Sequence, residues 1–168
     1  MSRSKFRRTL AVLICASSCL LFSAPGNALA AGAVEMQVER IVVQAIKEYN
    51  DAMAEGAPAG WVKYFTENVQ RRAPQSEQSG KEAFDAYYRA EFEAFQAKWT
   101  TSRMIIAGRS AAVEFEWDAL HKASNTPVKL HMVAVMQLAP NGKFDSVNFY
   151  YDNSVLAKLQ PATTGAAQ

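Results

Sequence analysis

The sequence predicts an α+β domain, a curved antiparallel sheet covered by three N-terminal helices. Three observations carry this. Apolar residues recur at helical spacing in two long segments before residue 98. After residue 100 the pattern switches to alternation, the period of half-buried strands. Turn residues, "RS" after Gly108, "KASNT" and "APNG", cut that second part into four segments. Helices with one apolar face and strands with one apolar face bury both against each other, which gives a two-layer core.

Taken in order, residues 34–54 place Val38, Ile41, Val42, Ala45, Ile46, Tyr49, Ala52 and Met53 on one stripe, a long amphipathic helix. "EGAPAG" stops it at a glycine and restarts the chain with a proline. "GWVKYFTE" is a short second helix ending in aromatics. "NVQRRAP" reads as a short strand stopped by Pro74, and "QSEQSG" as a polar loop. Ser79 and Glu82 form an S-x-x-E capping box for a third helix over about 80–97. Its apolar face carries Phe84, Tyr87, Tyr88, Phe92 and Phe95, and Glu91 falls inside that stripe. The four strands follow. Val113, Phe115, Trp117 and Ala119 share a face opposite Glu114, Glu116 and Asp118. Val128 to Leu138 alternate with a wholly apolar face, and Val133 and Val135 fall on the other one. The tail 161–168 has nothing to pack and is expected to be disordered.

The first 30 residues read as a secretory signal peptide. Arg3, Lys5, Arg7 and Arg8 precede an apolar run of 13 residues, "LAVLICASSCLLF", and Ala28-Leu29-Ala30 supplies a small-x-small cleavage pattern. The run falls short of the ~20 residues of a spanning helix, so no stable membrane anchor is expected. Four of the 18 basic residues and none of the 16 acidic ones lie in this segment, which leaves 14 against 16, a net charge of −2. A slightly acidic mature chain gives no argument for nucleic acid as a partner. Both cysteines, Cys15 and Cys19, leave with the segment, so no disulfide or thiol nucleophile is expected. One domain, 31–160, in the periplasm or secreted, is the expected product.

The order of elements resembles the nuclear transport factor 2-like superfamily, a cone-shaped α+β fold, and most of all its SnoaL-like and ketosteroid-isomerase-like branches. "YNDAMAEGAPAGWVKYF", "RRAPQSEQSGKEAFDAYY" and "GKFDSVNFYYDNSVLAKL" carry the resemblance, in this order and at these spacings. It implies a pocket between the concave sheet face and the helices. It also implies a tyrosine seven residues before the turn glycine, matched by Tyr49 before Gly56, and one eight residues after the third helix's glycine, matched by Tyr88 after Gly80. The isomerase base, an Asp before the strand-ending proline, is replaced here by Ala73 before Pro74. The second oxyanion donor falls on Ala134, and the buried Asp of the epoxide-hydrolase branch falls on Phe149. Isomerase chemistry by the family mechanism is therefore not expected.

The resemblance points to a lining of Trp61, Phe65, Tyr88, Phe92, Phe115, Trp117, Met132, Met136, Val147, Phe149 and Tyr151, each of which is otherwise an ordinary core residue. Tyr49 would donate to an enolate or carbonyl, or else be a core tyrosine. Glu91 would be a proton shuttle if buried, or a stripe-edge residue whose head reaches water. Arg71 shares strand parity with Ala73, so it would clamp a ligand carboxylate, pair with Glu91, or be a solvated edge residue. His121 and His131 lack metal-ligand spacing, and "EFEWD" reads as a solvated face, so neither a metal nor a cofactor is expected. The expectation is an exported domain holding a small hydrophobic ligand, and a homodimer through the outer sheet face. A proton-transferring isomerase or cyclase built on Tyr49 and Glu91 and a non-catalytic interaction module are the alternatives.

Overall fold

The computed structural model describes residues 25–157, with side chains from residue 31. Most of the expected signal peptide and the whole expected disordered tail lie outside the described residues. Helix α1 spans Pro25–Glu55. Val38, Val42, Ala45, Ile46, Tyr49, Ala52 and Met53 are buried, as the stripe demands. Gly56 ends the helix at φ 70°, where a side chain would be strained. Its N–H bonds to the Met53 carbonyl and the Ala57 N–H to that of Ala52, a Schellman closure. Helix α2, Ala59–Val62, follows Pro58. Among the described residues no helix is long and apolar enough to cross a membrane.

The sheet is larger than the alternation predicts. Among the described residues it holds six strands: β1 Phe65–Ala73, β2 Ser76–Ser79, β3 Phe95–Ala107, β4 Ser110–His121, β5 Thr126–Leu138 and β6 Phe144–Tyr150. Their order is β2-β1-β6-β5-β4-β3. Strands β3 to β6 form the expected antiparallel meander, and β1 joins β6 in parallel, with Arg71 opposite Val147. The sheet is therefore mixed, not purely antiparallel. The segment read as a polar loop is in fact strand β2, paired with β1 through a turn at Pro74-Gln75. Its residues are polar on both faces, so no alternation could reveal it.

Helix α3 is Lys81–Ala94, shorter than expected. Phe95 is already extended at φ −128° and begins β3. Phe92 and Phe95 suit a helix, but Phe95, Ala97 and Trp99 also alternate, and pairing with β4 decides between them. The capping box does not form. Gly80 occupies the N-cap at φ 83°, and the Ser79 hydroxyl accepts from Gln70 Nε2 at 2.8 Å. The other end of α3 is closed from outside. Lys122 donates through its backbone N–H to the Ala94 carbonyl and through Nζ to that of Phe92.

Two further contacts position the site. Asn50 on α1 accepts from the Trp99 N–H at 2.8 Å and donates to the Trp99 carbonyl at 3.0 Å. It satisfies the backbone of the edge strand β3 and fixes α1 against it. On the outer face, Lys129 bonds Glu116 and Asp118 at 3.0 and 3.3 Å, which accounts for two acids of "EFEWD".

Candidate functional site

Between α3, the sheet and the short helix α4, Ser154–Ala157, lies a half-open cavity of about 240 Å³. Seven of the expected site residues line it: Arg71, Tyr88, Glu91, Trp117, Met132, Phe149 and Tyr151. Trp61, Phe65, Phe92 and Phe115 do not. They are at most 2 % exposed and close the domain behind it. Met136 and Val147 are likewise packed core. Trp61, expected on the lining, packs instead into an aromatic cluster, its ring 4.8 Å from Phe65, 5.1 Å from Trp99 and 5.5 Å from Tyr49. Trp99, Tyr87, Leu130 and Leu156 complete the wall. Trp99 was legible as a wall residue only through its alternation with Phe95 and Ala97. Tyr87 lies one helical turn before Glu91.

Tyr49 takes a different place from the one the resemblance implies. It is fully buried, and it lies behind the cavity wall rather than on it. Its hydroxyl donates to Glu91 Oε1 at 2.7 Å and accepts from Trp117 Nε1 at 3.2 Å. Its one proton is committed to Glu91, so a ligand oxygen has no claim on it. Tyr88 meets Tyr49 only edge to face, with ring centroids 6.3 Å apart. The arrangement is a chain, Trp117 to Tyr49 to Glu91, that ends on a cavity carboxylate.

Burial pushes the Glu91 carboxyl above its ordinary value, and the Tyr49 hydroxyl and Arg71 charge pull it only part of the way back. Burial, with Glu91 beside it, holds Tyr49 far above the usual phenol range, so it stays protonated. Burial works against the charge on Arg71, but Tyr88, Tyr87 and Glu91 more than offset it, and the guanidinium stays ionised.

A raised carboxyl in the folded state makes a directional prediction. The folded protein binds the proton more tightly than the unfolded chain, so this contribution to stability is present below about pH 4.5 and is lost as pH rises through the folded value. Glu91→Gln keeps a hydrogen-bond acceptor for Tyr49 and removes the titration. The melting temperature of the variant minus that of the parent is expected to increase from pH 4 to pH 8. A difference that is flat with pH excludes burial as the control on Glu91.

Arg71 is 3 % exposed and points to the cavity side, with Val69 and Ala73 of the same parity. Nη1 donates to Ser76 Oγ at 2.9 Å and Gln78 Oε1 at 2.7 Å, so β2 holds it. The guanidinium lies 3.7 Å from the centroid of the Tyr87 ring. Neither the solvated-edge reading nor a direct pair with Glu91 describes it. Arg72, by contrast, points out and pairs with Glu77.

A family model described as the SnoaL-like domain matches residues 46–147. The chain belongs to the SnoaL-like domain family. This SnoaL-like domain is similar to three solved structures that show its fold. The epoxide hydrolase/cyclase-like enzyme SalBIII, described in pyran ring formation in polyether salinomycin, is 24% identical at a TM-score of 0.64, covering 72% of this chain and 95% of its own. An NTF2-like protein from Anabaena variabilis is 16% identical at 0.62, covering 71% and 92%. A ketosteroid isomerase-like fold from Catenulispora acidiphila, in complex with trimethylamine, is 19% identical at 0.57, covering 67% and 89%. Comparison with curated proteins gives no match. The SnoaL-like domain keeps a cavity where the family resemblance implies one, but its carboxylate stands on α3 rather than on the first strand.

Proposed function

We propose that this is an exported SnoaL-like domain that holds a small, largely hydrophobic ligand in the cavity between α3 and the sheet. The cavity itself carries the reading. Its wall is mostly aromatic and aliphatic, with a few placed polar groups, the composition of a ligand site. At about 240 Å³ it lies just under the roughly 300–1,000 Å³ of sites for drug-sized molecules, which favours a compact ligand. An interaction module would have this space filled by its own side chains. The test is fluorescence of the neutral probe N-phenyl-1-naphthylamine. Saturable enhancement, lost in the cavity-filling variant Met132→Trp, supports the reading; no saturable binding sinks it.

The second reading is a proton-transferring isomerase or cyclase, with Glu91 as the shuttle and Tyr49 as the residue that positions it. The chain from Trp117 through Tyr49 to a carboxylate on the cavity wall favours it.

Export rests on the basic start, the apolar run and Ala28-Leu29-Ala30. Sequencing the exported protein from its N-terminus should read from Ala31 or Gly32, and an intact Met1 defeats the idea. Assembly as a homodimer rests on the outer sheet face. There Val133 pairs with Tyr150, and Val135 pairs with Ala112, which pairs in turn with Ile105. Ile105 and Tyr150 are 50 % and 59 % exposed. Light scattering should give twice the chain mass, reduced to one by joint Val133→Lys and Val135→Lys. A monomer mass for the parent protein removes the dimer.

A further inference from the structure

Arg71 is almost fully buried, and the groups that hydrogen-bond it or face it with a ring are neutral. Ser76 and Gln78 hold Nη1. Tyr87 and Phe149 present ring faces 3.7 and 5.1 Å from the guanidinium carbon. Among the described residues it makes no ion pair within 4.0 Å. Its Nε has no hydrogen-bond partner, and neither does Nε1 of Trp99 on the same wall. The tyrosines nearby and Glu91 keep the guanidinium ionised, but no anion is bonded to it, which leaves a charge-assisted hydrogen bond for a ligand to make. The hairpin β1–β2 fixes the guanidinium in place beforehand, so a ligand bears little of the ordering cost.

We infer that the cavity takes a compact, planar ligand with one oxyanion, a carboxylate or enolate oxygen, seated against Arg71, and an apolar body against Trp117, Leu130, Met132 and Phe149. The inference rests on the ligand-binding reading above and adds the ligand's charge to it. The guanidinium is held over the Tyr87 ring with both Nη1 hydrogens committed to Ser76 and Gln78, which leaves Nη2 to meet a ligand oxyanion. Glu91 stands on the same wall without touching Arg71, so the ligand meets a cation and a carboxylate at separate points.

The probes are trans-cinnamate and trans-cinnamamide, which share a body and differ in charge, titrated calorimetrically at about pH 7.5. Cinnamate is expected to bind at least about tenfold more tightly, the scale of a charge-assisted bond. Arg71→Met should weaken cinnamate by about tenfold or more and leave cinnamamide within about twofold. Arg71→Lys keeps the charge but not the fork, and should fall between. Equal affinity of the two probes for the parent protein overturns the inference, and that measurement needs no variant. Failure of cinnamate to bind while N-phenyl-1-naphthylamine does bind also overturns it and leaves the ligand-binding reading standing. If the naphthylamine fails as well, the ligand-binding reading falls and the inference falls with it.

Discussion

Truncating Trp99 to alanine is expected to cost about 3–5 kcal/mol, the range for deleting a buried aromatic side chain. Trp99 is 4 % exposed and stands where helix α1, strand β3 and the cavity wall meet. Its ring stacks on Tyr49 with centroids 4.0 Å apart and planes 19° from parallel. Phe115, Trp61 and Phe149 surround it at 4.6, 5.1 and 5.9 Å. These pairs add to the simple burial term. The truncation also joins the core to the existing cavity, so the gap has no easy way to collapse. Against a total stability of about 5–15 kcal/mol, this removes a large share. Trp99→Phe keeps the stacking on Tyr49 and should cost clearly less. Urea unfolding of the purified protein checks it, and a loss under about 1 kcal/mol for Trp99→Ala would remove Trp99 from the centre of the core.

Tyr49→Phe is expected to cost about 1–3 kcal/mol, more than a single oxygen contributes on average, because it strands two buried partners. Trp117 Nε1 loses its acceptor and Glu91 Oε1 loses its donor. The sign of the pH dependence separates this from a packing effect. Burial already raises the Glu91 carboxyl, and the Tyr49 hydroxyl is the first of the groups that lower it. Without the hydroxyl the folded value moves up further, so the variant loses more stability than the parent as pH rises from 4 to 8. In the Glu91→Gln background that extra pH dependence should vanish. A double-mutant cycle should give a coupling of at least about 0.5 kcal/mol between positions 49 and 91. Additive losses, identical at both pH values, would mean that the hydroxyl does not act through Glu91.

The sequence by itself determined which face of each long element is buried. The stripe of α1, the alternation of β4 and β5, and Glu91 inside the apolar face of α3 are all periodicities, and periodicity records exposure residue by residue. The order of elements also carried the family. Two boundaries stayed illegible because both alternatives satisfy the local pattern. Phe92 and Phe95 fit a continuing helix, and Ser76–Ser79 are polar on both faces in strand or loop alike. Tertiary structure alone decided which elements are neighbours and which polar atoms meet. The parallel pairing of β1 with β6 joins segments more than 70 residues apart, and no local residue choice encodes it. That pairing, with β2 on the far side, turns Arg71 from an edge residue into a buried cation. The direction of the Tyr49 proton was likewise open until Trp117 and Glu91 were brought to it from β4 and α3. A pattern specifies burial, but a hydrogen bond needs a partner at about 3 Å with the right lone pair, and only the folded chain supplies one.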